Sequence, residues 1–180
     1  MNLPNSLTTA RIAATPLVVL LMYVGLPFTD GLATALFILA CMTDLVDGWL
    51  ARKLDQVTAL GKFLDPLADK LVVGSVLIML VGLGRIPAWV AVLIVAREMA
   101  VTGMRAVAAE RGVVVAADRY GKLKTMTQIV ALSPLIWGRE FLGLDALLWG
   151  KVILYVALVI TLFSGGNYLY NFYKNLLKNP

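Results

Sequence analysis

Six apolar runs separated by more polar stretches direct this chain towards a bundle of helices in a membrane. The runs cover Ile12–Phe28, Gly31–Thr43, Leu71–Leu83, Ile86–Ala109, Met126–Trp137 and Leu147–Phe163. Inside a bilayer each backbone N–H and C=O must be satisfied by the protein itself, and an α-helix does this within one segment. Hydrophobic residues make up 60% of the 180 and charged residues 15%, more apolar than an ordinary soluble domain of this length. The sequence therefore predicts an all-α, polytopic membrane protein, a single domain over 1–180. It has six transmembrane helices and a short N-terminal interfacial segment. Asn2-Leu3-Pro4-Asn5 predicts a turn or a short surface helix there, and no signal peptide, because no basic region precedes the first run.

The second and third runs, which flank the longest polar stretch, are too short on their own. Gly31–Thr43 and Leu71–Leu83 each hold 13 residues, which is roughly 20 Å of helix against a hydrocarbon core of roughly 30 Å. Between them lies DLVDGWLARKLDQVTALGKFLDPLAD, residues 44–69. This stretch must lengthen both helices, and its carboxylates then lie within one leaflet. Asp44, Asp47, Gly48, Ala51 and Arg52 share one helical face, and Gly61, Asp65 and Asp69 share another. Ionisable groups at that depth face a bundle interior or a wet cavity. Asp65 before Pro66 also reads as a helix N-cap with proline at the first helical position.

Composition excludes much chemistry. The chain has no histidine and one cysteine, Cys41. A Ser-His-Asp triad, a Cys-His pair, a His-bearing zinc site and an internal disulfide all lack parts. Paired aspartates without soft ligands suit hard cations. The formal charge of +5 reads as orientation and anionic-substrate binding, with no nucleic-acid partner. Arg11, Arg52, Lys53, Lys62, Lys122, Lys124, Lys174 and Lys178 all fall on one side of the six-span arrangement. The positive-inside rule puts both termini and the aspartates at the cytoplasmic face of the cell membrane.

The spacing Asp44-x2-Asp47-Gly48-x2-Ala51-Arg52-x8-Gly61-x3-Asp65-x3-Asp69 resembles the signature of the CDP-alcohol phosphotransferases, with every fixed position filled. The resemblance implies an integral membrane enzyme that transfers a phosphatidyl group from a CDP-linked lipid to an alcohol and releases CMP. It implies two Mg²⁺ or Mn²⁺ ions held by Asp44, Asp47, Asp65 and Asp69, with Asp69 as general base. It assigns nucleotide binding to Asn5, Thr8, Asp44, Gly48, Ala51, Arg52 and Gly61. It also implies a homodimer, for which Gly74, Ser75 and Gly82 are small residues suited to helix packing.

The acceptor is read from other residues. Arg97, Glu98, Thr102 and Arg105 form a polar band in the fourth run, with Arg97 and Arg105 leaning to one side. Gly121, Lys124, Thr125 and Gln128 share a face where the fifth run opens, beside Lys122. Arg97, Arg105, Lys122 and Lys124 at the leaflet of the aspartates suggest an acceptor with its own phosphate. REMAVTGMR, GKLKTMTQ and NSLTTAR resemble family members that join CDP-diacylglycerol and glycerol 3-phosphate. Each feature has a plainer reading: an ion pair between Arg97 and Glu98, and lysines that snorkel to the interface. Rival functions are a sibling enzyme using inositol phosphate, serine or phosphatidylglycerol, a divalent-cation transporter, and a structural membrane subunit. Tyr168, Tyr170 and Tyr173 are expected in an interfacial belt.

Overall fold

Among the described residues, six helices in chain order carry the architecture. The structure, a computed structural model, describes residues 3–53, 59–110, 119–141 and 143–178. Within these, it describes no side chains at 3–5, 44–53, 59–60, 62–63, 65, 109, 119–122, 141 and 175–178. The helices are α1 (Leu3–Val24), α2 (Pro27–Lys53), α3 (Ala59–Gly82), α4 (Ala88–Glu110), α5 (Arg119–Trp137) and α6 (Ala146–Lys178). A two-residue hairpin, β1 (Glu140–Phe141) against β2 (Leu144–Asp145), interrupts an otherwise all-α fold before α6.

Local chemistry sets the helix ends. Gly25 and Gly138 adopt positive φ (68° each) just past α1 and α5, the left-handed turn that glycine takes without strain. Pro27 opens α2, where its missing N–H is no loss. The Thr29 hydroxyl accepts from Leu26 N–H at 2.9 Å, half of a capping box. Asp145 Oδ1 accepts from the N–H groups of Leu147 and Leu148, at 2.9 and 3.1 Å, and so caps α6.

The helices run on through several points where the sequence left a choice. Residues 3–11 join the first apolar run without a break, since α1 runs from Leu3 through Arg11 to Val24. Asp65 is not an N-cap, since α3 starts at Ala59 and holds Pro66 inside it. α6 continues through Gly165-Gly166, where the sequence suggests an end to the apolar run. Of the three tyrosines expected in a belt, Tyr168 is buried inside the bundle while Tyr170 and Tyr173 are exposed, so the belt loses one member.

The core joins all six helices around Met22, Phe37, Leu77, Ile94, Leu135 and Leu154. α5 packs along α6, α1 packs on both α2 and α3, and α4 leans on α6. Close approach between helices comes at Gly150, where an added Cβ would sit 2.6 Å from Leu135 Cγ, and at Gly31, against Trp137. Gly74 and Gly82 face open space within the chain, so they are not its packing glycines. The outer surface stays apolar: Leu20, Leu39, Ile78, Val92, Val159 and Phe163 are all exposed. Ser6–Val24 and Ala146–Lys174 are long and apolar enough to cross a membrane, and Pro27–Thr43 is a shorter apolar stretch.

Candidate active site

The aspartate motif lies on two helices, as its spacing requires. Asp44, Asp47, Gly48, Ala51 and Arg52 sit in the helical backbone of the last turns of α2, and Gly61, Asp65 and Asp69 in that of α3. The side chains of Asn5, Asp44, Asp47, Gly48, Ala51, Arg52, Asp65 and Lys122 lie outside the described ones. Among those described, Thr8 and Gly61 are buried.

Asp69 is the motif carboxylate whose surroundings are described. It lines a narrow cleft between α3, α4 and α5, together with Val73, Ile94, Glu98 and Gln128. It lies within Coulombic reach of Lys124. Lys124 is buried, so it does not snorkel outwards. Its Nζ donates to Glu98 Oε1. Arg97 Nη1 donates to the same oxygen at 3.1 Å, and Arg97 Nη2 donates to Ser164 Oγ at 2.9 Å. Two cations thus share one carboxylate, and the group keeps a net positive charge beside Asp69. The ion pair expected of Arg97 and Glu98 as the plainer reading is present, and it includes Lys124 as well. Farther along α4, the Arg105 guanidinium lies 5.4 Å from the centre of the Tyr168 ring.

A carboxylate beside a positive cluster, in a chain whose exterior is apolar, can bring an anionic substrate to a base that takes a proton. The family model described as CDP-alcohol phosphatidyltransferase matches residues 1–163. The chain belongs to the CDP-alcohol phosphatidyltransferase family. A Bacillus subtilis relative named CDP-diacylglycerol--glycerol-3-phosphate 3-phosphatidyltransferase is 44% identical over 179 residues, covering 93% of each chain. A Rickettsia bellii relative of the same name is 44% identical over 168 residues, again with 93% of each chain covered. A Mycobacterium tuberculosis relative, a probable phosphatidylglycerophosphate synthase, is 39% identical over 173 residues, covering 93% of this chain and 80% of its own.

In this phosphatidyltransferase Asp69, Glu98 and Gln128 line one cleft, Glu98 joins Arg97 to Lys124, and Arg105 lies against Tyr168 of α6. Sequence reasoning missed the α6 side. Thr161 accepts from Gln128 Nε2 at 3.4 Å, Ser164 holds Arg97, and Gly165 leaves room for the Arg97 shaft. Thr161, Ser164, Gly165 and Tyr168 recur at helical spacing, a signal present in the sequence. It was hidden because two of the four are small and the surrounding run is apolar.

Proposed function

We propose that this chain transfers the phosphatidyl group of CDP-diacylglycerol to glycerol 3-phosphate, giving phosphatidylglycerophosphate and CMP. The observation that carries this reading is the positive group of Arg97 and Lys124 on Glu98, next to Asp69 of the motif. An acceptor without charge would not need it. The names of relatives that align over nearly the whole chain agree with it.

In the reaction, Asp69 takes the proton of the acceptor hydroxyl as its oxygen bonds to the lipid-side phosphorus. The phosphorus–oxygen bond to the CMP phosphate breaks, and CMP leaves with the electron pair. Arg97, Arg105, Lys122 and Lys124 hold the acceptor's phosphate, and Asn5, Thr8, Gly48, Ala51, Arg52 and Gly61 seat the nucleotide. Asp44, Asp47, Asp65 and Asp69 would hold Mg²⁺ or Mn²⁺. An all-oxygen donor set with no histidine fits such ions, which would neutralise the diphosphate charge. A bundle whose six helices all span, with both termini and the site at the cytoplasmic face, suits a substrate that is half lipid and half nucleotide. We also take the working unit to be a homodimer, with the open face at Gly74 and Gly82 as room for close helix contact.

The deciding experiment follows CMP release by the purified protein with CDP-diacylglycerol and a panel of acceptors. Glycerol 3-phosphate should support turnover and inositol phosphate, serine and phosphatidylglycerol should not. Faster release with any of these three would refute the assignment.

A further inference from the structure

We propose that α6 completes the acceptor subsite: the Tyr168 hydroxyl donates to the acceptor's phosphate, and Ser164 with Gly165 aims Arg97 at the same group. This rests on the reading of the cation cluster as the acceptor's site.

Tyr168 is 4% exposed, and its hydroxyl has no hydrogen-bond partner among the described residues. Leaving a buried hydroxyl unpaired is unfavourable, and buried tyrosine hydroxyls usually find a partner. Packing does not explain the group. A phenylalanine ring would lie against Arg105 equally well, so the cation–π contact at 5.4 Å accounts for the ring and not for the oxygen. A phosphate drawn to Arg105 would arrive beside a free donor, and phosphate oxygens are strong acceptors.

The preceding helical turn carries the second half of the device. Ser164 is buried, and its Oγ receives Arg97 Nη2 at 2.9 Å. A Cβ on Gly165 would stand 2.9 Å from Arg97 Cγ and 3.0 Å from Nε. Cγ lies near the root of the side chain, so even an alanine here would displace the whole arginine. Arg97 Nη1 is already held by Glu98. With both ends of the fork tied, the guanidinium has one orientation, which lowers the entropy lost when it binds an anion.

Tyr168→Phe and Gly165→Ala test this in the full chain, with each substrate varied in turn and the melting midpoint measured beside the kinetics. Tyr168→Phe should raise KM for glycerol 3-phosphate about ten-fold, the effect of one hydrogen bond to a charged group. It should leave KM for CDP-diacylglycerol and the midpoint unchanged. Gly165→Ala should raise the same KM, because it moves Arg97. If Arg105→Ala raises that KM and Tyr168→Phe does not, this proposal fails and the acceptor reading stands. If neither does, both fail. A rise confined to CDP-diacylglycerol would put the hydroxyl on the other substrate, and a fall in the midpoint of Tyr168→Phe would make it a structural group. Either result overturns the proposal.

Discussion

Glu98 holds two cations at once, and its neighbours show why one carboxylate suffices. Arg97 and Lys124 approach it from different helices, and both are mostly enclosed. Removing one partner from such a group leaves charge uncompensated inside the protein, at a cost of about 3 kcal/mol or more. Glu98→Ala is therefore expected to lower the melting midpoint in detergent clearly, and Glu98→Gln to do so less, since the amide oxygen still accepts. Equal midpoints for Glu98→Ala and the parent chain would contradict the buried pairing. Asp44→Asn belongs to the opposite class. It removes a proposed ligand charge without removing bulk, so activity should be nearly lost while the midpoint holds. Chelator should abolish turnover of the parent chain, and Mg²⁺ or Mn²⁺ should restore it. Full turnover in excess EDTA would rule the proposed ions out.

α6 shows how glycines in one helix serve different ends. Gly150 meets Leu135 and the Ala131 carbonyl of α5, whereas Gly166 faces open space. Gly150→Ala should destabilise by about 1–3 kcal/mol through overpacking. Gly166→Ala should leave stability unchanged or raise it by up to about 1 kcal/mol, the difference in helix propensity. The two melting midpoints, measured side by side, should move apart. A Gly166→Ala midpoint as low as that of Gly150→Ala would mean that the outer face of α6 is covered in the working protein. The same helix owes its start to Asp145, the last residue of the small hairpin, so the β-turn serves as the approach to an N-cap.

The bundle has a second ionic group, at the end away from the motif. Asp30 opens α2 almost fully buried, 3.6 Å from Arg85 and 3.4 Å from Arg139. Arg85 Nη1 also donates to the carbonyls of Leu135 and Ile136, the last turn of α5. Its guanidinium fills the space that a Cβ on residue 138 would need, which a glycine at positive φ leaves open. One carboxylate thus ties α2, the α3–α4 turn and the end of α5. It also pairs the two arginines at that end of the bundle. Asp30→Asn should cost about 3 kcal/mol of stability. KM for both substrates should not change, because the site lies at the other end. A ten-fold rise in either KM would show the two ends to be coupled. Single cysteines at Lys53 and Lys122 should label from the cytoplasmic side, and one at Asp30 from the other. Labelling of positions 53 and 30 from the same side would refute the six-span arrangement.

Apolar periodicity and motif spacing were enough to give six helices, the extension of α2 and α3 through the aspartate stretch, and the family. The helices depend on neighbours within a few turns, where the 3.6-residue repeat places side chains without reference to the rest of the chain, and the family signature depends only on fixed spacing along the sequence. Helix ends fall where glycine or proline enforces them, as at Gly25 and Pro27, inside what the apolar run alone would join. At Asp65-Pro66 the sequence left an N-cap open beside the helical face of Gly61, Asp65 and Asp69, because a proline fits a first turn or an established helix; the fold takes the helical face. The cations proposed for the acceptor were legible as a polar band on the fourth and fifth runs, but not their partners. That Glu98 receives Lys124 from 26 residues away, that Arg97 rests on Ser164, and that Tyr168 turns inward to Arg105 were decided by α6 packing on α4 and α5. The tie of Asp30 to Arg85 and Arg139 is of the same kind. Within a helix, position follows from spacing. Between helices, it follows from which small residues let two backbones meet, and only the assembled bundle sets that.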